Sequence, residues 1–182
     1  IMSRFIRAAV LACLLCLPCA AAFAQTICVA NVAQLLSAMD QFRQAPEDAT
    51  VTIKLVRGTY VIGASLSADG ILPATDNVKL RVLGGYGAGC ATRTIDPANT
   101  VFDGNNLADS GISMISPGDA GELLFEGIAF TRMRRPVDHY PGAVLSLQVN
   151  SGDNGIATVR YCRFSQNSAS KMVLFESPQM RL

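Results

Sequence analysis

The spacing of the apolar side chains changes near Thr50, from a helical period to an alternating one. Over residues 29–42 the apolar positions recur every three or four residues, which predicts one short amphipathic helix. Asn31 followed by Gln34 resembles a capping box and places the start of this helix near Asn31. Beyond it, residues 51–55 (VTIKL) and 78–83 (VKLRVL) alternate apolar and polar side chains, which predicts strands with one buried face.

Turn-forming residues interrupt the rest of the chain at short intervals. These breaks are rich in Gly, Asp, Asn and Pro, and they occupy residues 57–58, 69–70, 84–85, 103–106, 116–119 and 151–155. Such turn chemistry between short apolar runs, with no second good helix, predicts a mostly β protein.

Parts of the sequence also repeat. Apolar strands recur at offsets of 31, 34 and 29 residues, as shown by the aligned pairs Gly111 and Gly142, Phe130 and Phe164, and Ala143 and Met172. Repeats of about 20–50 residues indicate stacked units, each of which needs its neighbour to bury its apolar face. Two strands and a bend per unit favour a coil of a parallel β-helix over a propeller blade.

The first 24 residues have the pattern of a removable secretion signal. Two arginines precede an apolar stretch over residues 8–17, and Ala22-Phe23-Ala24 matches the small-x-small site that signal peptidase cuts. We predict cleavage after Ala24 and a protein that is secreted, periplasmic or held at the outer membrane or cell surface, with no transmembrane segment after cleavage. A membrane anchor is the alternative, but the apolar stretch is short for a span and Pro18 interrupts it.

Charge and cysteine content narrow the possible partners. The chain has 182 residues, with 15 Lys and Arg against 14 Asp and Glu. Without Arg4 and Arg7 of the signal the balance is 13 to 14, so the overall charge favours neither nucleic acid nor an anionic membrane. Of six cysteines, Cys28, Cys90 and Cys162 lie beyond the signal. An oxidising compartment permits one disulfide among these three and leaves one thiol over.

Four segments together resemble a known family. They are TIKLVRGTYVI (52–62), LRVLGGYGAGCATRTIDPANTVFDG (80–104), LLFEGIAFTR (123–132) and VRYCRFSQNSA (159–169). They are similar to secreted bacterial right-handed parallel β-helix repeat proteins of the pectin-lyase-like superfamily, in particular to outer-membrane repeat and autotransporter-passenger-like members. The resemblance covers nearly all of the chain after the signal.

The resemblance implies an all-β fold, a right-handed parallel β-helix (solenoid) with a short N-terminal amphipathic capping helix. The signal would occupy residues 1–24 and one domain residues 25–182. Within this domain we expect a helical cap over 25–50, the first coils over 51–110, and the recognisable repeats over 111–182, which look truncated. The resemblance also brings Cys28 close to the Cys90 turn and implies a disulfide between them. Two buried thiols are the alternative, and Cys162 is most simply a small core residue.

Basic side chains are the best candidates for ligand binding. Some alternate outward on the early predicted strands, and others lead into a loop flanked by prolines: Lys54, Lys79 and Arg81, then Arg132, Arg134 and Arg135. If the strands stack in register, the outward cations form a ribbon that would meet the carboxylates of an acidic polysaccharide or cell-surface glycan. Solvated cations that protect an exposed sheet from aggregation are the alternative interpretation.

Other polar residues have weaker patterns. Asp96, Asp103 and Asp109 would suit calcium, but spaced acids in Asp-Pro and Asp-Gly pairs are turn formers first. His139 follows Asp138, but adjacent residues on an extended strand point to opposite sides, so we interpret it as a loop histidine. We therefore expect no metal and no cofactor.

These patterns favour a secreted or cell-surface binding or structural module, adhesin-like or passenger-like, over an enzyme, and carbohydrate is the candidate ligand. The Gly-His-Gly and paired-aspartate signatures of polygalacturonases do not occur, and there is no Trp for sugar stacking. The alternative is the N-terminal portion of a polysaccharide lyase or glycoside hydrolase acting on acidic polysaccharide, with its catalytic repeats beyond Leu182. The final residues begin a unit without closing it, which suggests either missing C-terminal coils or end-to-end self-association.

Overall fold

A computed structural model describes residues 23–63, 71–135, 142–149, 154–176 and 180–181. The one α-helix among these residues, α1, covers Val32–Arg43, and two 3₁₀ helices cover Ala88–Cys90 and Pro97–Asn99. The strands are β1 (Ala24–Val29), β2 (Thr50–Val56), β3 (Gly58–Val61), β4 (Lys79–Tyr86), β5 (Thr100–Asp103), β6 (Ile112–Ser116), β7 (Glu122–Glu126), β8 (Ala129–Thr131), β9 (Arg134–Arg135), β10 (Ala143–Val149), β11 (Ile156–Arg160), β12 (Arg163–Ser165), β13 (Ser168–Ala169), β14 (Lys171–Glu176) and β15 (Met180–Arg181).

These strands form four sheets. The largest has six strands in the order β1-β2-β4-β7-β11-β15, and a second has four in the order β12-β8-β5-β3. A three-stranded sheet has the order β14-β10-β6, and β13 pairs with β9. Each of these strand pairs runs parallel. Partners in a sheet therefore come from distant segments, because parallel strands cannot be joined by a tight hairpin.

The prediction of an all-β right-handed parallel β-helix is wrong. The described strands are divided among sheets of six, four, three and two strands, and with the helix they form a parallel, α/β-like arrangement and not a clear solenoid. A solenoid needs units of similar length. In the six-stranded sheet, however, paired residues are separated by 26 positions for Ala24 and Thr50 but by 43 for Lys79 and Glu122. The sequence repeat thus indicates parallel pairing without a regular coil.

The helix begins where the capping pattern predicts it. Asn31 is the N-cap residue, and its side chain accepts a hydrogen bond of 2.9 Å from the Gln34 backbone N–H. The Gln34 side chain in turn accepts from the Ala30 backbone N–H at 2.7 Å. Since one face carries the apolar residues, α1 buries Leu35, Ala38, Met39 and Phe42 against the common core.

Strand alternation and an aromatic row build the core. In β2, the buried residues Val51, Ile53 and Leu55 alternate with half-buried ones, as the period of two requires. Four rings follow one another across the four-stranded sheet, with centroids 5.8, 5.7 and 4.8 Å apart: Tyr60, Phe102, Phe130 and Phe164. The register pairs these same residues, so each ring packs on the next strand's ring.

The predicted signal lies almost entirely outside the described residues, which begin at Phe23. Ala24, the last residue of that segment, is the first residue of β1 and pairs with Thr50. Within the part of the chain that the structure describes, no helix combines the length and the apolar character needed to cross a membrane.

Candidate functional site

Three of the predicted ligand-binding cations lie on one face of the six-stranded sheet, but in different rows. Lys54 pairs in register with Leu83, whereas Lys79 pairs with Thr50 and Glu122 on its two sides. Arg81 pairs with Thr52 and Leu124. A row here means the residues that lie opposite one another on adjacent strands. Since no two of the three cations lie opposite one another, they do not form a continuous ribbon.

Arg81 is already engaged by a carboxylate. Its Nε and Nη2 donate to the two carboxylate oxygens of Glu122 at 3.0 and 2.9 Å, a bidentate ion pair. These hydrogen bonds raise the pKa of Arg81 above its usual value. The pair cancels the charge of Arg81, so this part of the sheet face offers little attraction to an anion.

The other predicted cations lie elsewhere in the fold. Arg132 follows β8 in the four-stranded sheet and pairs with Asp103, and this contact holds the pKa of that carboxyl below its usual range. Arg134 is exposed and Arg135 is buried, and both belong to the short strand β9. The structure therefore does not bring the six predicted residues together on one surface.

A bulge re-directs the chain at the end of β4. Lys54 pairs with Leu83, and the next pair is Val56 with Tyr86. Between these two pairs β4 advances by three residues and β2 by two, so β4 carries one extra residue. Gly85 has a φ of +89°, and a Cβ on Gly84 would lie 2.2 Å from the Gly127 carbonyl oxygen. Only glycine fits here, and bulges of this kind commonly re-aim side chains near functional sites.

The bulge is followed by a loop, residues 87–99, that folds back on the sheet. Tyr86 forms an antiparallel bridge with Arg93, and the Thr94 N–H donates to the Gly85 carbonyl at 3.0 Å. A disulfide joins Cys90 in this loop to Cys28 in β1, consistent with the pairing that the resemblance implied. The disulfide thereby holds the loop against the six-stranded sheet. Arg93 lies over the edge of the sheet that is formed by the carboxyl ends of its strands.

Arg93 meets two other charged side chains at this edge. Glu126, at the end of β7, is 2% exposed, and its two carboxylate oxygens contact Arg93 and Arg160. Arg93 also donates from Nε to the Gly84 carbonyl at 3.0 Å. Its Nη2 is buried and has no hydrogen-bond partner within the described part of the chain. Two guanidinium groups thus share one buried carboxylate, and Arg93 keeps one N–H donor group, Nη2, without a partner among the described residues.

Two more cationic residues, Lys54 and Arg57, lie beside Tyr86 and the loop. The Lys54 ammonium and the Arg93 guanidinium each lie 5.2 Å from the centroid of the Tyr86 ring, a cation–π distance. The backbone N–H of Arg57 donates to the Tyr86 carbonyl at 2.8 Å, and its Nη2 donates to the Thr94 hydroxyl at 2.7 Å. We call Lys54, Arg57, Arg93 and Arg160, with Glu126 and Tyr86, the cationic edge cluster.

The cationic edge cluster is suited to binding an anion. It holds four cationic side chains and one carboxylate, and guanidinium groups are donors only, in a planar fork that matches carboxylate and sulfate oxygens. Within the described residues, no carboxylate forms an ion pair with Lys54 or Arg57. Asp96, the one acidic residue of the loop, accepts a hydrogen bond from the Ala98 N–H at 2.9 Å.

The remaining candidates from the sequence do not assemble into a site. Asp103 contacts Arg132 and not another acid, and no group of three or more His, Cys, Asp or Glu side chains that would suit a metal occurs among the described residues. His139 lies outside the described residues. Cys162 is a free thiol, and burial raises its pKa to about 11.

Sequence reasoning found only Lys54 of this cluster. The Gly84-Gly85 pair is its one local signal, because consecutive glycines before an aromatic residue suggest a bulge. Arg93, Glu126 and Arg160 are brought together by the register of parallel strands and by the back-folded loop, which no local pattern encodes. Neither a protein-family model, nor a curated protein, nor a solved structure matches this chain.

Proposed function

We propose that the protein is a secreted or cell-surface binding module whose ligand is an acidic polysaccharide, bound at the cationic edge cluster. The observation that carries the proposal is the excess of positive charge there: Arg93 and Arg160 share the single carboxylate of Glu126, while Lys54 lies over the Tyr86 ring and Arg57 contacts Thr94. The predicted secretion signal supports an extracellular ligand, since glycans are abundant partners at cell surfaces.

The energetics favour a polymer over a small anion. An exposed ion pair contributes only about 0.2–1 kcal/mol, so the cluster would bind an isolated carboxylate weakly. A polysaccharide with an acidic group on each sugar presents many equivalent anions at high effective concentration, and rebinding increases its apparent affinity. Because the contacts are charged and near the surface, binding should weaken as salt shortens the Debye length.

Affinity electrophoresis in gels that contain polygalacturonate or alginate tests this proposal, with neutral dextran as the reference polymer. We expect retardation by both acidic polymers and none by dextran, and we expect added salt to reduce it. Lys54→Ala and Arg160→Ala should each weaken binding about threefold to fivefold, which corresponds to the loss of one partly exposed ion pair.

Lys171→Ala is the matched control, because it also removes one exposed cation but lies on β14, outside the cationic edge cluster. Its binding should equal that of the unmodified protein. Equal binding to dextran, or an equal loss in the Lys171→Ala variant, would contradict the proposal. New unsaturated or reducing chain ends during the incubation would instead identify a lyase or a hydrolase.

A further inference from the structure

A gap between two exposed apolar side chains adjoins the cationic edge cluster. Gly127 follows Glu126, and Tyr161 follows Arg160, which pairs with Glu126 in the register. Tyr161, directly after β11, therefore lies next to Gly127, the residue directly after β7. Ile95 borders Gly127 on its other side, since its Cγ2 lies 3.5 Å from where a Gly127 Cβ would be. We call this gap, floored by Gly127 and bordered by Ile95 and Tyr161, the Gly127 notch.

Tyr161 has an unusual backbone conformation for an aromatic residue. Its φ is +52°, in the left-handed region, where Gly127 in the equivalent position has a φ of +72°. The residue is also 65% exposed, so packing in the core does not offset the strain of this conformation. Strained residues that are not needed for packing are concentrated at functional sites.

Hydrogen-bond donors lie beside the notch. The partnerless Nη2 of Arg93 is 3.8 Å from the position that a Gly127 Cβ would occupy. Arg160, next to Tyr161 in the chain, has a side chain that is 55% exposed while its Nε contacts Glu126. An aromatic ring and two guanidinium groups are therefore adjacent, the combination that binds a sugar ring and its acidic substituent together.

We propose that the Gly127 notch binds one acidic sugar unit, with the pyranose face stacked on Tyr161 and its carboxylate or sulfate bound by the exposed guanidinium of Arg160, beside the guanidinium of Arg93. This inference rests on the proposed function, because it assigns one unit of the polysaccharide to a subsite of the cationic edge cluster. A Cβ on Gly127 would lie 3.5 Å from Ile95 Cγ2 and 3.8 Å from Arg93 Nη2, so glycine at this position keeps the space beside the guanidinium open.

Tyr161→Gly separates a binding role of the ring from a structural one. Glycine adopts a positive φ without strain, so the variant should melt at the same temperature as the unmodified protein or higher. It should nevertheless bind oligogalacturonate about tenfold more weakly, because the stacking surface is lost. Tyr161→Phe keeps the ring and should retain binding. Gln166→Gly is the matched control, since Gln166 is also exposed and has a φ of +56°.

Three probes, measured by calorimetry, distinguish the outcomes: oligogalacturonate, a sulfated dextran oligosaccharide and polyglutamate. Tyr161→Gly should weaken the binding of one or both oligosaccharides, and the one more strongly affected identifies the preferred acidic group. The binding of polyglutamate should not change, because polyglutamate has no sugar ring. Three results would refute sugar binding in the Gly127 notch. They are normal binding of both oligosaccharides by Tyr161→Gly, an equal loss of polyglutamate binding in that variant, and the same loss of oligosaccharide binding in Gln166→Gly. Failure of the unmodified protein to bind any acidic polysaccharide would refute the proposed function itself.

Discussion

Removal of the Cys28–Cys90 disulfide tests how strongly the loop at residues 87–99 is fixed. The bond joins residues 62 positions apart, and in the chain-entropy description it stabilises the fold by about 4 kcal/mol by restricting the unfolded chain. Folded domains have a free energy of unfolding of about 5–15 kcal/mol. The double variant Cys28→Ala/Cys90→Ala should therefore remain folded in buffer but lose a large part of its stability.

Urea unfolding followed by circular dichroism measures this loss. With an m-value of about 2 kcal/mol/M, the midpoint should fall by about 2 M. Reduction of the unmodified protein with dithiothreitol should produce the same shift, and the double variant, which retains Cys162, should not respond to the reductant. An unchanged midpoint in the double variant would refute the reasoning, as would a further loss of stability when that variant is reduced.

Three further predictions concern buried polar groups. Tyr60→Phe should lower the free energy of unfolding by about 1–2 kcal/mol in thermal or urea melts, because the Tyr60 hydroxyl contacts two backbone carbonyls at 2.9 and 2.8 Å. Burial raises the pKa of Cys162 from 9.0 to about 11, so its contribution to stability should be complete below pH 9 and lost as the pH rises towards 11. Iodoacetamide should accordingly label native Cys162 slowly at pH 8 and rapidly in urea. Arg132 lowers the pKa of Asp103 below 3.8, so the stabilisation it provides should be complete above pH 3.8 and lost as the pH falls through the lower, folded-state pKa. Asp103→Asn should reduce that acid sensitivity and cost about 1 kcal/mol at neutral pH, measured by urea unfolding at several pH values.

Local patterns predicted individual elements well. Asn31 caps the helix, the alternating segment 51–55 lies within β2, and all but the first residue of the segment 78–83 lies within β4. The alignment of Phe130 with Phe164 also matches the register of β8 and β12. These features depend on short stretches, where the helical or alternating period and the position of one large aromatic side chain leave few alternatives.

Register in the three-stranded sheet was predicted less well. The alignment of Gly111 with Gly142 implies an offset of 31, but Ile112 pairs with Leu145, 33 residues later. Similarly, Ala143 pairs with Lys171 and not with Met172. The reason is that residues 143–147 are all buried, so β10 lacks the polar alternation that fixes which side chains face the core. Without that constraint, the apolar pattern fits registers that differ by one or two residues.

The ratio of arginine to carboxylate separates the cationic edge cluster from the other charged pairs. Glu122 and Asp103 each bind one arginine in a bidentate pair, which leaves little net charge for a ligand. Glu126 instead contacts both Arg93 and Arg160, because the loop brings one arginine and β11 brings the other. A buried carboxylate must be paired, but a single partner would suffice. The second guanidinium therefore leaves excess positive charge at this edge, and only the three-dimensional pairing shows it, since the sequence contains nearly equal numbers of acidic and basic residues.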